Sequence, residues 1–241
     1  MKSLRRKHIS WLVGLAVLVL AVVALTRIGV DRESKQSTSS SSSLLALTWG
    51  PSLCAVEVSV RGCRTGDVAR KGQAFLLHGL WPQPSTEQYC NITGHRPLEL
   101  SRDLRDRLQT LMSDAASMAA HEWKAHGSCS GVTPQEYFSV SATLTDQVRA
   151  VLDPAFQRAR GQRLTVRGVR ELFDTRFGSG AGRRVALSCR AAGGSGDLVY
   201  EVRISLPPVR DMSSAGAALS LGEQLAKAPP VPAGCGQARV P

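Results

Sequence analysis

The sequence predicts an α+β domain, a central and largely antiparallel β-sheet packed with several helices and stabilised by disulfides. Three observations lead there. Short apolar runs of strand length lie near both ends of residues 44–206, amphipathic runs of helical period lie between them, and the two kinds do not alternate strictly as a doubly wound parallel sheet requires. Six cysteines, all after residue 50, fit an oxidising compartment.

In chain order, Leu44 to Trp49 is short and apolar and is followed by Gly50-Pro51, which reads as a buried strand and a turn. Ala74 to Leu77 reads the same way. His78 then stands at a strand end, where Gly79 lets the backbone turn and the imidazole face a cleft. A helix is expected over 101–120, with Leu104, Leu108, Leu111, Met112 and Ala115 at helical spacing and Ser101 as N-cap. The histidine-rich segment 121–129 extends that helix or begins another. Thr133-Pro134-Gln135-Glu136 is a helix start with a capping threonine, proline at the first helical position and glutamate placed for a capping box. That helix should end at Leu152, before Asp153-Pro154. Val166 to Phe177 is a further amphipathic helix stopped by Gly178. Arg184 to Ser188 and Leu198 to Leu206 read as strands, the second alternating Leu198, Tyr200, Val202, Ile204 and Leu206 with more polar neighbours. No internal repeat is visible.

The chain divides into an export segment at 1–30, a serine-rich linker at 31–43 and a domain at 44–241. Lys2, Arg5, Arg6 and Lys7 precede an apolar run from Ile9 to Leu25, followed by Arg27, which is the pattern of a signal peptide or a retained anchor spanning residues 9–26. The linker offers nothing apolar to bury. The first 30 residues hold five of the basic groups and no acid, leaving 25 basic against 19 acidic residues and a net charge of +6. That balance suits a polyanionic partner and is also ordinary for a soluble surface. The protein is expected to be exported, to the periplasm or beyond, touching a membrane only through an uncleaved N-terminal segment. Six cysteines permit fifteen pairings; spacing suggests Cys54 with Cys63, Cys90 with Cys129 and Cys189 with Cys235. No two of them form a C-x-x-C pair, so metal binding by thiolates is disfavoured.

Two segments are chemically dense. Phe75-Leu76-Leu77-His78-Gly79-Leu80-Trp81-Pro82 ends an apolar run on a histidine beside a tryptophan, and His121-Glu122-Trp123-Lys124-Ala125-His126-Gly127-Ser128-Cys129 holds two imidazoles and a carboxylate. On a helix Glu122 and His126 share a face, with His121 on its flank. Such a group can bind, protonate and deprotonate a substrate near neutral pH. With His78 opposite, the site holds an acid and a base about one bond, which suits the proton transfers of RNA cleavage. The H-E-x-x-H zinc motif does not apply, since His121 and His126 splay by roughly 140° on a regular helix. Neither a G-x-S-x-G turn nor a P-loop is present.

These residues carry a resemblance. His78-Gly-Leu-Trp-Pro and His121-Glu-Trp-x-x-His-Gly-x-Cys resemble the paired active-site motifs of the ribonuclease T2 family. The likeness extends over most of residues 44–235, through Leu47-Thr48-Trp49 before Cys54 and Ser130-Gly-Val-Thr-Pro before Tyr137-Phe138. It implies a monomeric endoribonuclease without metal or cofactor and with little base preference. Such an enzyme cleaves single-stranded RNA by transphosphorylation to a 2′,3′-cyclic phosphate, hydrolyses that to a 3′-phosphate, and leaves DNA uncut. By the same resemblance His126 is the general base, His78 the general acid, His121 a phosphate ligand and Glu122 a partner in charge handling. Trp81 is a base-stacking residue, and Tyr89 either walls the same base site or packs beside Cys90.

One position departs from the family pattern. Ala125 stands where a lysine usually precedes the second histidine, and Lys124, one residue earlier, is the nearest candidate for its phosphate contact. A missing cation at a developing phosphorane should slow the reaction. The rival expectation is an RNA- or polyanion-binding protein of the same fold with weakened catalysis. His95, in a turn-like loop, and His8, in the export segment, are assigned no role; Asn91-Ile92-Thr93 is formally a glycosylation sequon.

Overall fold

A computed structural model describes residues 40–86, 88–90 and 98–241. The expected export segment, most of the expected linker, His95 and the Asn91 sequon lie outside the described residues. Among the described residues no helix is long and apolar enough to cross a membrane.

Strand β1 spans Ser42–Trp49, so the last two serines of the expected linker belong to the sheet. Ser43 is buried because its hydroxyl donates to the Pro207 carbonyl at 2.7 Å. Gly50-Pro51 does not make a turn but opens helix α1, Gly50–Val56; Pro51 fits the first helical turn, where its missing N–H costs nothing. Two short helices follow, α2 (Arg61–Arg64) and α3 (Asp67–Arg70).

Strand β2 is longer than expected, Phe75–Gln83, and does not stop at His78. Its antiparallel register with β1 pairs Ala46 with Gly79 but Leu47 with Leu77. His78 is therefore the extra residue of a β-bulge within the strand. Continuous pairing with β1 on both sides of the bulge holds the strand together where a turn was expected.

The expected helix over 101–120 is two helices, α4 (Arg102–Leu111), capped by the Ser101 hydroxyl, and α5 (Ala115–Ala125). Met112 breaks them with an extended backbone and is completely buried. Apolar spacing runs through this break unchanged, which is why periodicity does not show it. Helix α6, Pro134–Arg158, has the anticipated capping box but continues through Pro154 instead of ending at Leu152. Proline inside a helix costs about 3 kcal/mol. Burial of Phe156 offsets much of that, since its ring packs against Phe75 and Trp49 at 4.5 and 5.2 Å between centroids. Asp153 meanwhile accepts the Phe75 backbone N–H at 2.8 Å, tying the helix to the start of β2.

Strand β3 (Arg163–Thr165) leads into α7, Val166–Phe177, with Thr165 as cap and Gly178 at φ 99° as stop. Strands β4 (Val185–Ala191) and β5 (Asp197–Leu206) pair antiparallel, and helices α8 (Val209–Ser213) and α9 (Leu221–Lys227) precede the short β6 (Gln237–Arg239). The sheet runs β2-β1-β5-β6-β3, with β4 also on β5, and is antiparallel except between β5 and β6. β5 is central, so residues between its alternating apolar positions, Val199 and Glu201 among them, are buried too. The disulfides join Cys54 to Cys63, Cys90 to Cys129 and Cys189 to Cys235, at Cα separations of 5.4, 5.0 and 6.0 Å.

Candidate active site

The site forms where the bulge of β2 meets the C-terminal end of α5. Tyr137 of α6 holds the strand in place: its hydroxyl donates to the Leu80 carbonyl at 2.8 Å and accepts from the Leu80 N–H at 3.2 Å. One residue on, Trp81 Nε1 donates to Glu122 Oε2 at 3.0 Å, joining the two dense segments directly. Glu122 is only 2% exposed. Gly79 is required between them, because a Cβ there would lie 2.0 Å from Glu122 Oε2 and 2.5 Å from Trp81 Nε1. Its role is close approach of a carboxylate and not the turn that the sequence suggested.

Helix α5 ends at Ala125, and His126 is its C-cap, with its N–H still bonded to the Glu122 carbonyl at 3.0 Å. A short 3-10 turn, Gly127–Cys129, leads to the disulfide partner of Cys90. Across that link the Tyr89 N–H donates to the Ala125 carbonyl at 3.0 Å. Tyr89 has a left-handed backbone, φ 55°, uncommon for a residue with a side chain, and the residue is 55% exposed.

The two histidines of interest meet through Trp81. Its ring centroid is 5.1 Å from that of His78, edge on, and 5.5 Å from that of His126. The Arg203 guanidinium lies 5.6 Å from the same ring. His121 is exposed on the outer side of α5, near enough for its charge to act on Glu122 and His126. Lys124 is half-buried and makes no ion pair with a described residue; Ala125 is 2% exposed.

Two residues of this cluster escape a reading of the sequence. Glu201, on β5 and 1% exposed, accepts from His78, with Nδ1 to Oε2 at 2.8 Å, while Arg203 Nε donates to its other oxygen at 2.7 Å. In the linear pattern both look like the polar face of an alternating strand. The available signal is a carboxylate enclosed by Tyr200 and Val202 in a run that is otherwise buried.

Electrostatics separates the two imidazoles. His126 loses hydration on burial and faces the charges of His121 and His78, which together lower its pKa to about 4. Burial also acts to lower His78, but its hydrogen bond to Glu201 and the charges of Glu201 and Glu122 outweigh it and raise its pKa above the ordinary imidazole value. Glu122 is itself raised by burial, against the opposing pull of His78, Trp81 and His121. Near neutral pH the arrangement presents one neutral imidazole able to take a proton and another biased to carry one. Beside His78 a cavity of about 340 Å³ opens among Thr48, Leu76, Ser113, Met118 and Tyr200. Among the described residues no group of three or more His, Cys, Asp or Glu side chains is arranged to hold a metal ion.

The model of the Ribonuclease T2 family matches residues 41–216. A ribonuclease of Aeromonas hydrophila is 28% identical over 107 residues, which is 42% of this chain and 42% of that protein. Ribonuclease MC of Momordica charantia is 26% identical over 147 residues, 56% of this chain and 74% of that protein. The chain thus spans under half of the first of these relatives and about three quarters of the second. Among solved structures, ribonuclease MC1 from bitter gourd seeds superimposes with a TM-score of 0.55 at 20% identity, over 70% of this chain and 90% of that one. A ribonuclease-related protein from Calystegia sepium does so at 0.54 and 19%, over 83% and 97%.

Proposed function

Because this chain belongs to the ribonuclease T2 family, we propose that it is an endoribonuclease that cleaves single-stranded RNA with His126 as base and His78 as acid. The observation that carries the reading is the pair of imidazoles on one tryptophan ring whose surroundings shift their proton affinities in opposite directions. In the first step neutral His126 takes the 2′-hydroxyl proton as O2′ attacks phosphorus. The P–O5′ bond breaks, and protonated His78 gives its Nε2 proton to the departing O5′. The products are a 2′,3′-cyclic phosphate and a free 5′-hydroxyl. In the second step the roles reverse: water loses a proton to His78 as it attacks phosphorus, and His126 returns a proton to O2′, leaving a 3′-phosphate.

Glu122, buried and held by Trp81, lies 3.9 Å from His78 Nε2 and offsets positive charge on the ring when it is protonated. His121 at the rim contacts the phosphate, with Lys124 as a second cation on the same helix. Exposed Tyr89 and the free part of Trp81 flank a base by stacking, and the largely apolar cavity beside His78 suits a neighbouring base without demanding its identity. The reaction needs no metal. The protein acts as a monomer after export.

Incubation of the purified chain with single-stranded RNA in excess chelator tests this reading. Cyclic-phosphate ends that convert to 3′-phosphates are expected, with a matched DNA oligonucleotide intact. Retention of RNA without cleavage would instead establish a binding protein that lost catalysis with the cation at Ala125. His78→Phe and His126→Phe should each reduce turnover by about 10²–10⁴-fold without unfolding the chain.

A further inference from the structure

Glu201 is a buried carboxylate two strands away from the residue it contacts. β2 and β5 flank β1, so about 10 Å of sheet separates their backbones. The bulge releases His78 from the register, and the Glu201 side chain crosses β1 to meet it at Nδ1. On β1 Thr48 sits directly opposite Glu201 and donates its hydroxyl to the same oxygen at 3.3 Å. With Arg203 on the second oxygen, the carboxylate has three donors. A well-packed apolar residue would serve the middle of a central strand at least as well for stability alone. Burying a carboxylate there instead places a fixed negative charge against one nitrogen of His78.

We propose that Glu201 is a positioning residue of the reaction. It holds the Nδ1–H of His78 so that Nε2 is the nitrogen offered to the leaving oxygen. The inference rests on the assignment of His78 as the acid. Nε2 stands 3.9 Å from Glu122 Oε1, beyond hydrogen-bond reach, and is left open to substrate. Fixing one ring nitrogen with a carboxylate sets tautomer and orientation at the other. The groups around His78 are Glu201 and Arg203 from β5, Glu122 and more distantly His121 from α5, His126 at the helix end, and Trp81 from its own strand.

The test follows the His78 ring in the full chain by NMR titration and ring-nitrogen shifts, alongside kcat and KM for RNA across pH. Glu201→Gln keeps the size of the side chain and removes its charge. It should move the His78 midpoint down, shift the alkaline limb of kcat to lower pH, and lower kcat by about 10–100-fold with little change in KM. Arg203→Ala removes a cation that opposes charge on His78, so it should move the midpoint the other way, upward. Arg203 is substantially exposed, so this variant carries the test if Glu201→Gln does not fold. An unmoved His78 midpoint in a folded variant, or a shift of both variants in one direction, overturns the inference. If the midpoints move as expected in a chain that does not cleave RNA, positioning stands and the proposed reaction falls. Cleavage with unmoved midpoints leaves the reaction standing and removes the positioning role of Glu201.

Discussion

Replacing Gly79 by alanine puts a methyl group where the structure has a carboxylate. The new Cβ would stand 2.0 Å from Glu122 Oε2 and 2.8 Å from Glu122 Cδ, whereas ordinary contact begins near 3.4 Å. Glu122 must retreat by more than an ångström. It has little room, being 2% exposed and fixed by Trp81 at 3.0 Å. The hydrogen bond to that charged group is worth about 1.5–3 kcal/mol, and overpacking a buried site costs about 1–3 kcal/mol. Part of the two is shared, because moving Glu122 relieves the overlap by breaking the bond, so we expect a loss of about 2 kcal/mol in stability. A displacement of an ångström at a reacting centre costs about a hundredfold in rate. Initial rates on homopolymer RNA, with urea denaturation of the same samples, read both quantities. Wild-type stability would refute the close approach of Gly79 to Glu122. Lost stability with an unchanged kcat would show that Glu122 takes no part in the chemistry.

Further expectations concern protonation, the disulfide and the missing lysine. The base must be neutral and the acid protonated, so kcat/KM should rise as pH climbs through about 4, where His126 loses its proton, and fall only above the ordinary imidazole range, where raised His78 loses its own. A profile confined to a narrow band below pH 6 would contradict this assignment. Removing the Cys90–Cys129 bridge with alanines frees a closure of 39 residues and should cost about 4 kcal/mol in urea denaturation, together with activity, since the bridge adjoins the Tyr89–Ala125 bond. A loss below about 1 kcal/mol would show that packing alone holds the segment. Ala125→Lys should raise turnover on RNA if the absent cation limits the rate; equal or lower turnover removes that explanation.

Elements whose signal is local were legible in the chain itself. The Thr133–Glu136 capping box, the Val166 start and Gly178 stop of α7 and the Ser101 cap depend on residues close in sequence, and each formed as its spacing implied. His78, Trp81, Glu122 and His126 could be singled out because they lie in two short motifs. Elsewhere long-range contacts overrode local preference. Phe156 drew α6 through Pro154, burial of Met112 split one expected helix into two, and pairing with β1 carried β2 past Gly79.

By itself, then, the sequence determined the fold class and the family and singled out the histidines of the proposed site, because caps, periods and motifs are written in neighbouring residues. Only the tertiary structure decided how His78 is held and charged. Its partner Glu201 lies 123 residues away and meets it through a bulge in one strand and a side chain reaching across another, a relation of register that no local pattern encodes.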